Sequence, residues 1–439
     1  MAAPRKPQGL LAGGAILFAG NLFGAGCNAL FHVVTGRGLP DAEYGALVSM
    51  LGVILLFATP LGAVQNTLAH FVARFAGGGR RDAVGAFFRR VAVRLALPGF
   101  AAAALAAAFA RPLAAFWGPP VTPGLVVLAG TVLGMSFLQP AVNGLLQGLE
   151  RYVALAVVPQ AWGATRLALA AAFLASGLAT AGWCLVAQGA GVVATLLIAA
   201  AVLRLFPDAP QAEKPAGATT ANCQEKTEEG GVAVRFLAWN LLALLALSAL
   251  MNADAPLSKH FLPPDAAGVF AKAATIARTA VFLPSPLVAV LFAKISARHP
   301  SENPRRLLFQ TVAAMGAFLA AVLAGDLIFP ALPWVVLYGA VPETAEGLVL
   351  SPKALTFALL AAQTPLALSN ALVNYDLARR RRLGGACLLA AAAAYLAAAA
   401  GLLSRGAPAE AIAPTLLVCN LAALAALVFA VRRGGEAEV

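Results

Sequence analysis

Arg166, Lys272 and Arg278 are three basic residues that fall inside the long apolar stretches of this 439-residue chain. Arg278 lies about 11 residues into its stretch, roughly 16 Å deep at 1.5 Å per residue, and Arg166 is comparably deep. A charge at that depth costs about 2.5–3.5 kcal/mol, so it must face a cavity or a counter-charge. Asp254 and Asp326 fall near the outer ends of their stretches and are predicted to be interfacial. Two deep cations without an evident acid favour an anionic ligand over an unseen ion pair. Lys272, close to its helix start, either lines the same cavity or reaches to the interface.

Amide and imidazole side chains form stripes in four of the apolar stretches. At 100° per residue, residues three, four or seven apart share one helix face. The stripes consist of Asn21, Asn28 and His32; Thr59, Asn66 and His70; Gln139, Asn143 and Gln147; and Gln363, Asn370 and Asn374. Such side chains either bond neighbouring helices to each other or line a wet central cavity, and the sequence leaves both interpretations open. The predicted ligand-binding residues are Arg278, Arg166, Lys272, Asn28, His32, Asn66, His70, Asn143, Gln147 and Asn370.

The composition predicts the elements that carry these residues. Hydrophobic residues make up 61% of the chain, charged residues 11%, and the mean hydropathy is +0.82, whereas a soluble domain is about 25% charged. Apolar stretches of about 20 residues are the length of membrane-spanning helices, not of barrel strands. We therefore predict an all-α membrane protein with about 12 transmembrane helices. The predicted spans are 10–34, 45–73, 91–115, 123–148, 152–177, 183–203, 236–257, 267–293, 307–332, 353–377, 384–404 and 411–431.

The net charge of +12 is explained by membrane topology. Most of the basic residues fall in the loops that share one side of the membrane with the N-terminus, and no nucleic-acid motif accompanies them. The basic residues of the opposite loops are Arg37, Arg111, Lys259, Lys353 and Arg405. Because cytoplasmic loops are rich in Lys and Arg, both termini are expected to be cytoplasmic in a multi-pass protein of the cytoplasmic membrane.

An internal repeat divides the chain into halves. The motif LPDAEYG at 39–45 recurs as LPPDAAGVF at 262–270, and Pro140 is followed by a similar amide pattern to that after Pro365. Both matches have an offset close to the spacing of the halves. We predict a six-helix lobe at 1–204, a cytoplasmic linker rich in proline and acidic residues at 205–235, and a second six-helix lobe at 236–439. An even number of spans gives both lobes the same orientation, as in transporters built from parallel repeats.

Motifs for cofactors and metals are absent from the sequence. The five cysteines are scattered without a CxxC spacing, so neither a metal site nor a disulfide framework is expected. No G-x-x-x-x-G-K-[ST] motif for nucleotide binding occurs. Any transport would therefore be driven by an ion, by the membrane potential or by consumption of the product. The sequence does not specify a coupling ion.

Three motifs resemble those of the polysaccharide flippases of the multidrug, oligosaccharidyl-lipid and polysaccharide exporter superfamily. They are LPDAEYG at 39–45, LQGLER at 146–151, and GVFAKAATIAR at 268–278 followed by LP at 283–284 and LFAK at 291–294. Ala293 stands where the family has proline, and the thirteenth and fourteenth helices of many relatives are absent, which disfavours the lipid-II branch. The resemblance implies a MATE-like fold with a central cavity. It also implies a lipid-linked anionic oligosaccharide as substrate, with a polyprenyl pyrophosphate carrier, and membrane lipids as the other partners.

Two other functions compete with this interpretation. A multidrug or cation antiporter of the same superfamily would carry acids deep in its spans. This sequence has arginines there, which argues against an antiporter. A membrane polysaccharide polymerase or ligase would need a large outer loop with catalytic residues. The longest predicted outer loop, 333–352, contains Glu343 and Glu346 but no Arg or His. An enzyme is therefore not expected.

Overall fold

The computed structural model describes residues 10–77, 81–205, 226–284, 287, 288, 291, 304–379 and 383–433. Its helices in chain order are α1 (Leu10–Gly38), α2 (Asp41–Ala58), α3 (Gly62–Gly77), α4 (Arg81–Ala108), α5 (Ala110–Trp117), α6 (Pro123–Ser136), α7 (Gln139–Gly148), α8 (Tyr152–Ala175), α9 (Ala181–Leu205), α10 (Lys226–Asn252), α11 (Asp254–Phe261), α12 (Pro264–Phe282), α13 (Pro304–Ile328), α14 (Leu332–Tyr338), α15 (Pro352–Ala378), α16 (Leu383–Ser404) and α17 (Ile412–Arg433), with 3-10 segments at Thr59–Leu61 and Ala409–Ala411.

The described helices are those of a multi-pass membrane protein. Ten helical segments among them are long and apolar enough to cross a membrane, and α10 with α11 adds an eleventh if this pair, bent by 46°, forms one span. A helix satisfies its backbone hydrogen bonds within the segment, which hydrocarbon requires. The predicted eighth span, 267–293, continues past Pro284 into residues of which the structure describes only three. The predicted all-α membrane fold is confirmed.

Helix α10 overlaps the predicted linker. It begins at Lys226, so residues 226–235 are helical although they were assigned to the linker. The remainder of the linker, from 206 to 225, lies outside the described residues.

The chain forms two compact units whose boundaries differ from the predicted lobes. The first unit contains Met1–Gly38, Leu61–Leu113 and Pro123–Leu237. The second contains Leu39–Pro60, Ala114–Thr122 and Ala238–Val439. Two segments of the first sequence half therefore pack with the second half.

In the first unit, α8 packs between α1 and α9, α4 packs on α6, and α3 packs on α7. The α3–α7 contact is close because α7 presents glycine at two positions one turn apart. A Cβ at Gly144 would lie 2.7 Å from the Gln65 carbonyl oxygen, and one at Gly148 would lie 2.6 Å from that of Ala69. Small residues four apart allow such backbone approach between membrane helices.

In the second unit, α15 packs against α12, α13 and α17, and α2 packs against α11 and α12. Its core includes Trp334, which is fully buried and donates a 2.9 Å hydrogen bond from Nε1 to the Thr356 hydroxyl. Helix α14, which carries this tryptophan, ends at Gly339, whose left-handed φ of 86° suits a residue without a side chain.

The two copies of the repeated motif contact each other inside the second unit. Motif 39–45 begins α2 and motif 262–270 begins α12, and the two helices meet at Gly45 and Gly268. A Cβ at Gly268 would lie 2.0 Å from the Asp41 carbonyl oxygen, and one at Gly45 would lie 2.9 Å from the Gly268 nitrogen. Equivalent residues of the two sequence halves therefore pack backbone to backbone.

Candidate ligand-binding residues

Arg166 lies on α8 and is 2% exposed. Its guanidinium donates one hydrogen bond to Gln188 Oε1, at 2.8 Å, and another to Asn28 Oδ1. Phe31 and Trp162 cover the guanidinium carbon at 4.0 and 4.1 Å from their ring centroids. Helices α1, α8 and α9 together thus supply a dipolar and aromatic environment for one positive charge.

No carboxylate compensates the Arg166 charge among the residues that the structure describes. Its Nε atom is buried and has no hydrogen-bond partner there. The sequence predicted Arg166 and Asn28 as ligand-binding residues, and the structure brings these two together. Because Arg166 is buried, an anion reaches it only after α1, α8 or α9 moves.

Arg278 forms an ion pair with an aspartate. This corrects the expectation that it is a deep cation without an acidic partner. It is 8% exposed and forms an ion pair through Nη2 with Asp254 Oδ1. Its Nε donates a 3.0 Å hydrogen bond to the Met251 carbonyl oxygen. The pair has no net charge, so Arg278 by itself is not evidence for an anionic ligand.

Asp254 was predicted to be interfacial because it falls near the outer end of a predicted span, 236–257, that contains no break. Instead, α10 ends at Asn252 and α11 begins at Asp254, with a bend of 46° between them. The bend frees the Met251 carbonyl for Arg278 and turns Asp254 inward, where it is 1% exposed. Asp326, also predicted to be interfacial, is 4% exposed. Both acids are buried near the ends of their predicted spans.

Lys272 is also paired, with Asp41 of the repeated motif. The Lys272 Nζ lies 2.6 Å from Asp41 Oδ1. The same Nζ lies 5.8 Å from the ring centroid of Tyr44 and 5.4 Å from that of Tyr338. This ion pair joins α12 to the start of α2, whereas Lys272 was predicted either to line the cavity or to reach to the interface.

Tyrosine hydroxyls extend this contact. Tyr44 is fully buried and donates to Thr275 Oγ1 at 3.3 Å, and its hydroxyl lies 3.2 Å from that of Tyr338. Burial raises the pKa of the Tyr338 phenol well above its usual value, so the hydroxyl stays protonated and can donate. The sequence analysis missed this cluster, although Tyr44 lies within the repeated motif.

The stripe on the second predicted span is displaced. Asn66 and His70 are exposed, and Gln65 instead donates a 3.1 Å hydrogen bond to Gln147 Oε1 of α7. The prediction assumed one continuous helix, whereas the 3-10 segment Thr59–Leu61 separates α2 from α3. The change in helical phase after this segment explains why the neighbouring residue makes the contact.

The other stripes form hydrogen bonds within each unit. Asn21 of α1 accepts a 3.1 Å hydrogen bond from Gln160 of α8. Asn374 donates at 2.8 Å to the Asn370 side chain one turn earlier on α15. These bonds are of the kind expected for packing between and within helices.

Two further predicted ligand-binding residues are His32 and Asn143. The His32 ring packs edge-on against Phe31, with centroids 5.5 Å apart. The Asn143 side-chain oxygen is buried and has no hydrogen-bond partner among the described residues. Within the described part of the chain, no group of three His, Cys, Asp or Glu side chains could hold a metal ion.

Comparison with known proteins identifies the fold. No family model and no curated protein matches the chain. The inward-facing structure of a multidrug resistance MATE family transporter of the MOP superfamily gives a TM-score of 0.69 at 12% identity, over 93% of this chain and 93% of that one. The lipid II flippase MurJ, in an inward closed conformation, gives 0.67 at 12% identity, over 96% of this chain and 87% of that one.

A third structure, of a MOP superfamily transporter from Pyrococcus furiosus, gives a TM-score of 0.63 at 14% identity over 95% of this chain and 94% of that one. The predicted MATE-like fold is therefore confirmed. Fold alone does not determine function, and at these identities the similarity extends to the fold.

Proposed function

We propose that this protein is a secondary transporter that moves lipid-linked oligosaccharides across the cytoplasmic membrane by alternating access. The substrate class is an oligosaccharide on a polyprenyl pyrophosphate, used for cell-surface polysaccharide, and both chain termini are cytoplasmic. The observation that carries the proposal is the contact between Gly45 and Gly268, where the repeated motifs of the two sequence halves meet.

The contacts around this glycine pair are of a kind that can separate and re-form. They consist of the Lys272–Asp41 ion pair, the hydrogen bond from Tyr44 to Thr275, and van der Waals packing between α2 and α12. The motifs stand at the predicted outer ends of their helices. In a transporter built from two repeats, contacts between the halves at one side of the membrane open as those at the other side close. We infer that these contacts form the outer gate.

A lipid-linked oligosaccharide fits the side chains that the stripes provide. Each sugar hydroxyl stripped of its water costs several kcal/mol in hydrocarbon, so unaided transfer is negligible. Amides such as Asn143 and Asn370 offer both donors and acceptors to such hydroxyls. Arg166 retains a positive charge without a described acid, and its planar guanidinium suits pyrophosphate oxygens. In this mechanism Arg166 becomes accessible when the conformation changes.

The membrane potential can supply a driving force for this substrate. A pyrophosphate with about two negative charges gains roughly 4–5 kcal/mol per 100 mV when it moves outward, at about 2.3 kcal/mol per charge. The proposal therefore requires no dedicated coupling ion and remains compatible with one.

A cation antiporter is the second candidate, because the structure supplies the buried acids that the sequence analysis did not expect. Asp254 and Asp326 are 1% and 4% exposed. Asp254 is neutralised by Arg278, which leaves Asp326 as the better candidate for binding a transported cation or a proton.

Deletion of the protein from its host separates the two functions. The flippase proposal expects a lipid-linked saccharide to accumulate in the cytoplasmic leaflet, which mass spectrometry of extracted lipids identifies. Unchanged saccharide pools, together with increased sensitivity to lipophilic cations, would favour the antiporter instead.

Crosslinking tests the gate. In a variant whose five native cysteines are replaced by alanine, Asp41→Cys with Lys272→Cys should lose transport when a short bis-maleimide joins them. The same variant without the reagent controls for loss of the ion pair. Asn21→Cys with Gln160→Cys, both within the first sequence half and hydrogen-bonded in the structure, should retain transport when joined. Full transport by the joined Asp41–Lys272 pair would refute the gate.

A further inference from the structure

A cavity of about 250 Å³ opens at the surface of the second unit. Helices α12, α13, α14 and α15 surround it. Most of its wall is apolar, including Ile276, Val322, Leu337 and Leu360. Its volume equals that of roughly eight liquid water molecules at about 30 Å³ each, which is enough for a small polar head group and a few methylene groups.

Asp326 is the one charged residue among the described residues that line this cavity. Its side chain is buried, and neither carboxylate oxygen has a hydrogen-bond partner among the residues that the structure describes. A buried carboxylate is costly unless it is paired or hydrogen-bonded. An ionisable residue in a membrane helix therefore indicates a functional site and requires a partner.

The mouth of the cavity lies among exposed apolar residues. Phe329 and Leu332 line the cavity and are 60% and 56% exposed, and Ile328 beside them is 66% exposed. Asp326 stands two residues before the end of α13, about 3 Å along the helix axis. This places the carboxylate near the predicted outer surface of the membrane, at the level of lipid head groups.

We propose that this cavity binds a membrane lipid whose head group carries a primary ammonium, and that Asp326 accepts hydrogen bonds from that ammonium. The ammonium supplies the positive charge and the donors that the carboxylate lacks. The apolar wall accommodates the adjoining methylene groups, while the acyl chains remain in the bilayer beside Phe329. This lipid site does not depend on the proposed flippase function.

The walls leave room for the ligand at Gly325. A Cβ at this position would meet no atom within 4 Å, and the residue lines the cavity next to Asp326. A larger side chain at 325 therefore starts from open space and is expected to extend into the cavity. Because glycine is a poor helix former, the substitution also favours the α13 helix.

Native mass spectrometry of the full-length protein in neutral detergent provides the test, with titrations of phosphatidylethanolamine, phosphatidylcholine and phosphatidylglycerol. Phosphatidylethanolamine should bind tightest, because its ammonium donates hydrogen bonds that the quaternary group of phosphatidylcholine cannot. Asp326→Asn keeps the shape of the site and should weaken phosphatidylethanolamine binding about 10- to 100-fold, the range for a hydrogen bond to a charged group. Phosphatidylglycerol binding should not change.

Gly325→Leu serves as the second variant, since it fills the cavity and leaves the carboxylate in place. It should abolish the preference for phosphatidylethanolamine while raising or preserving thermal stability. Equal binding of all three lipids to the wild type would overturn the proposal, as would a preference that survives both substitutions. Octylamine should displace phosphatidylethanolamine where 1-octanol does not. Binding of octylamine without any retention of phosphatidylethanolamine would show a site for small amines and overturn the lipid assignment.

Discussion

Arg166 in the first unit and Arg278 in the second carry the same side chain into the interior, but the two guanidinium groups are stabilised differently. Arg278 has the Asp254 carboxylate and a backbone carbonyl as partners. Arg166 has two side-chain amides and two aromatic rings. The first arrangement cancels the charge, and the second keeps it.

This difference bears on how the protein could recognise an anion. A neutral ion pair attracts an anionic ligand weakly, and a cation solvated only by dipoles keeps its long-range attraction in a medium of low dielectric constant. Under the proposed flippase function, Arg166 is therefore the stronger candidate for binding an anion among the described residues, whereas the sequence analysis named both arginines as candidates.

The largest expected effect comes from removing the acid of the Arg278 pair. Asp254→Asn leaves a buried guanidinium without its counter-charge and should lower the free energy of unfolding by about 3–5 kcal/mol. Unfolding in a denaturing detergent, monitored by tryptophan fluorescence, measures this loss in the free energy of unfolding. The double variant Asp254→Asn with Arg278→Met should recover at least half of the loss. A loss below about 1 kcal/mol for Asp254→Asn would mean that the pair contributes little.

A substitution at Gly268 tests the backbone packing between α2 and α12 at the contact of the repeated motifs. Gly268→Ala places a Cβ 2.0 Å from the Asp41 carbonyl oxygen and should cost about 1–3 kcal/mol through overpacking. Gly316→Ala is the matched control, because its Cβ would meet no atom within 4 Å and alanine favours a helix. Equal stability of the two variants would show that α2 and α12 can separate without cost.

Arg166→Met tests the other side of the comparison. It removes a charge that has no described acid and leaves an apolar side chain between Phe31 and Trp162. The lost hydrogen bonds and ring contacts should cost about 1–2 kcal/mol, less than Asp254→Asn in the same unfolding assay. A loss as large as that of Asp254→Asn would indicate that the two arginines are not stabilised differently.

The smallest effect on stability is expected at the partly exposed pair of the repeated motif. The side chains of Lys272 and Asp41 are 11% and 30% exposed, so Lys272→Met should change the free energy of unfolding by about 0.5–1 kcal/mol. Its effect on transport should be larger than its effect on stability if this pair belongs to the gate. Unimpaired transport in Lys272→Met would remove the ion pair from the gate.

The residues that make contacts at the candidate site were identified from the sequence only where the helices are continuous. Asn28 and Arg166, each predicted as a ligand-binding residue, stand on unbroken helices and are in contact. Gln65 follows the 3-10 segment and Asp254 follows the α10–α11 bend, and there the helical phase assumed from the sequence no longer applies. A local break rotates every later side chain. Pro60 lies in the 3-10 segment and Pro256 in the first turn of α11, but a proline by itself does not give the size of the rotation.

Sequence alone determined the membrane class, the approximate spans and the repeat, because hydrocarbon accepts long apolar helices and few alternatives. Tertiary structure decided which charges are paired. Asp41 lies 231 residues from Lys272, and a contact over that distance depends on how α2 and α12 pack, which periodicity within one helix does not contain. It also decided that Asp326 is enclosed, since burial of a residue near a helix end depends on the neighbouring helices, here α12, α14 and α15.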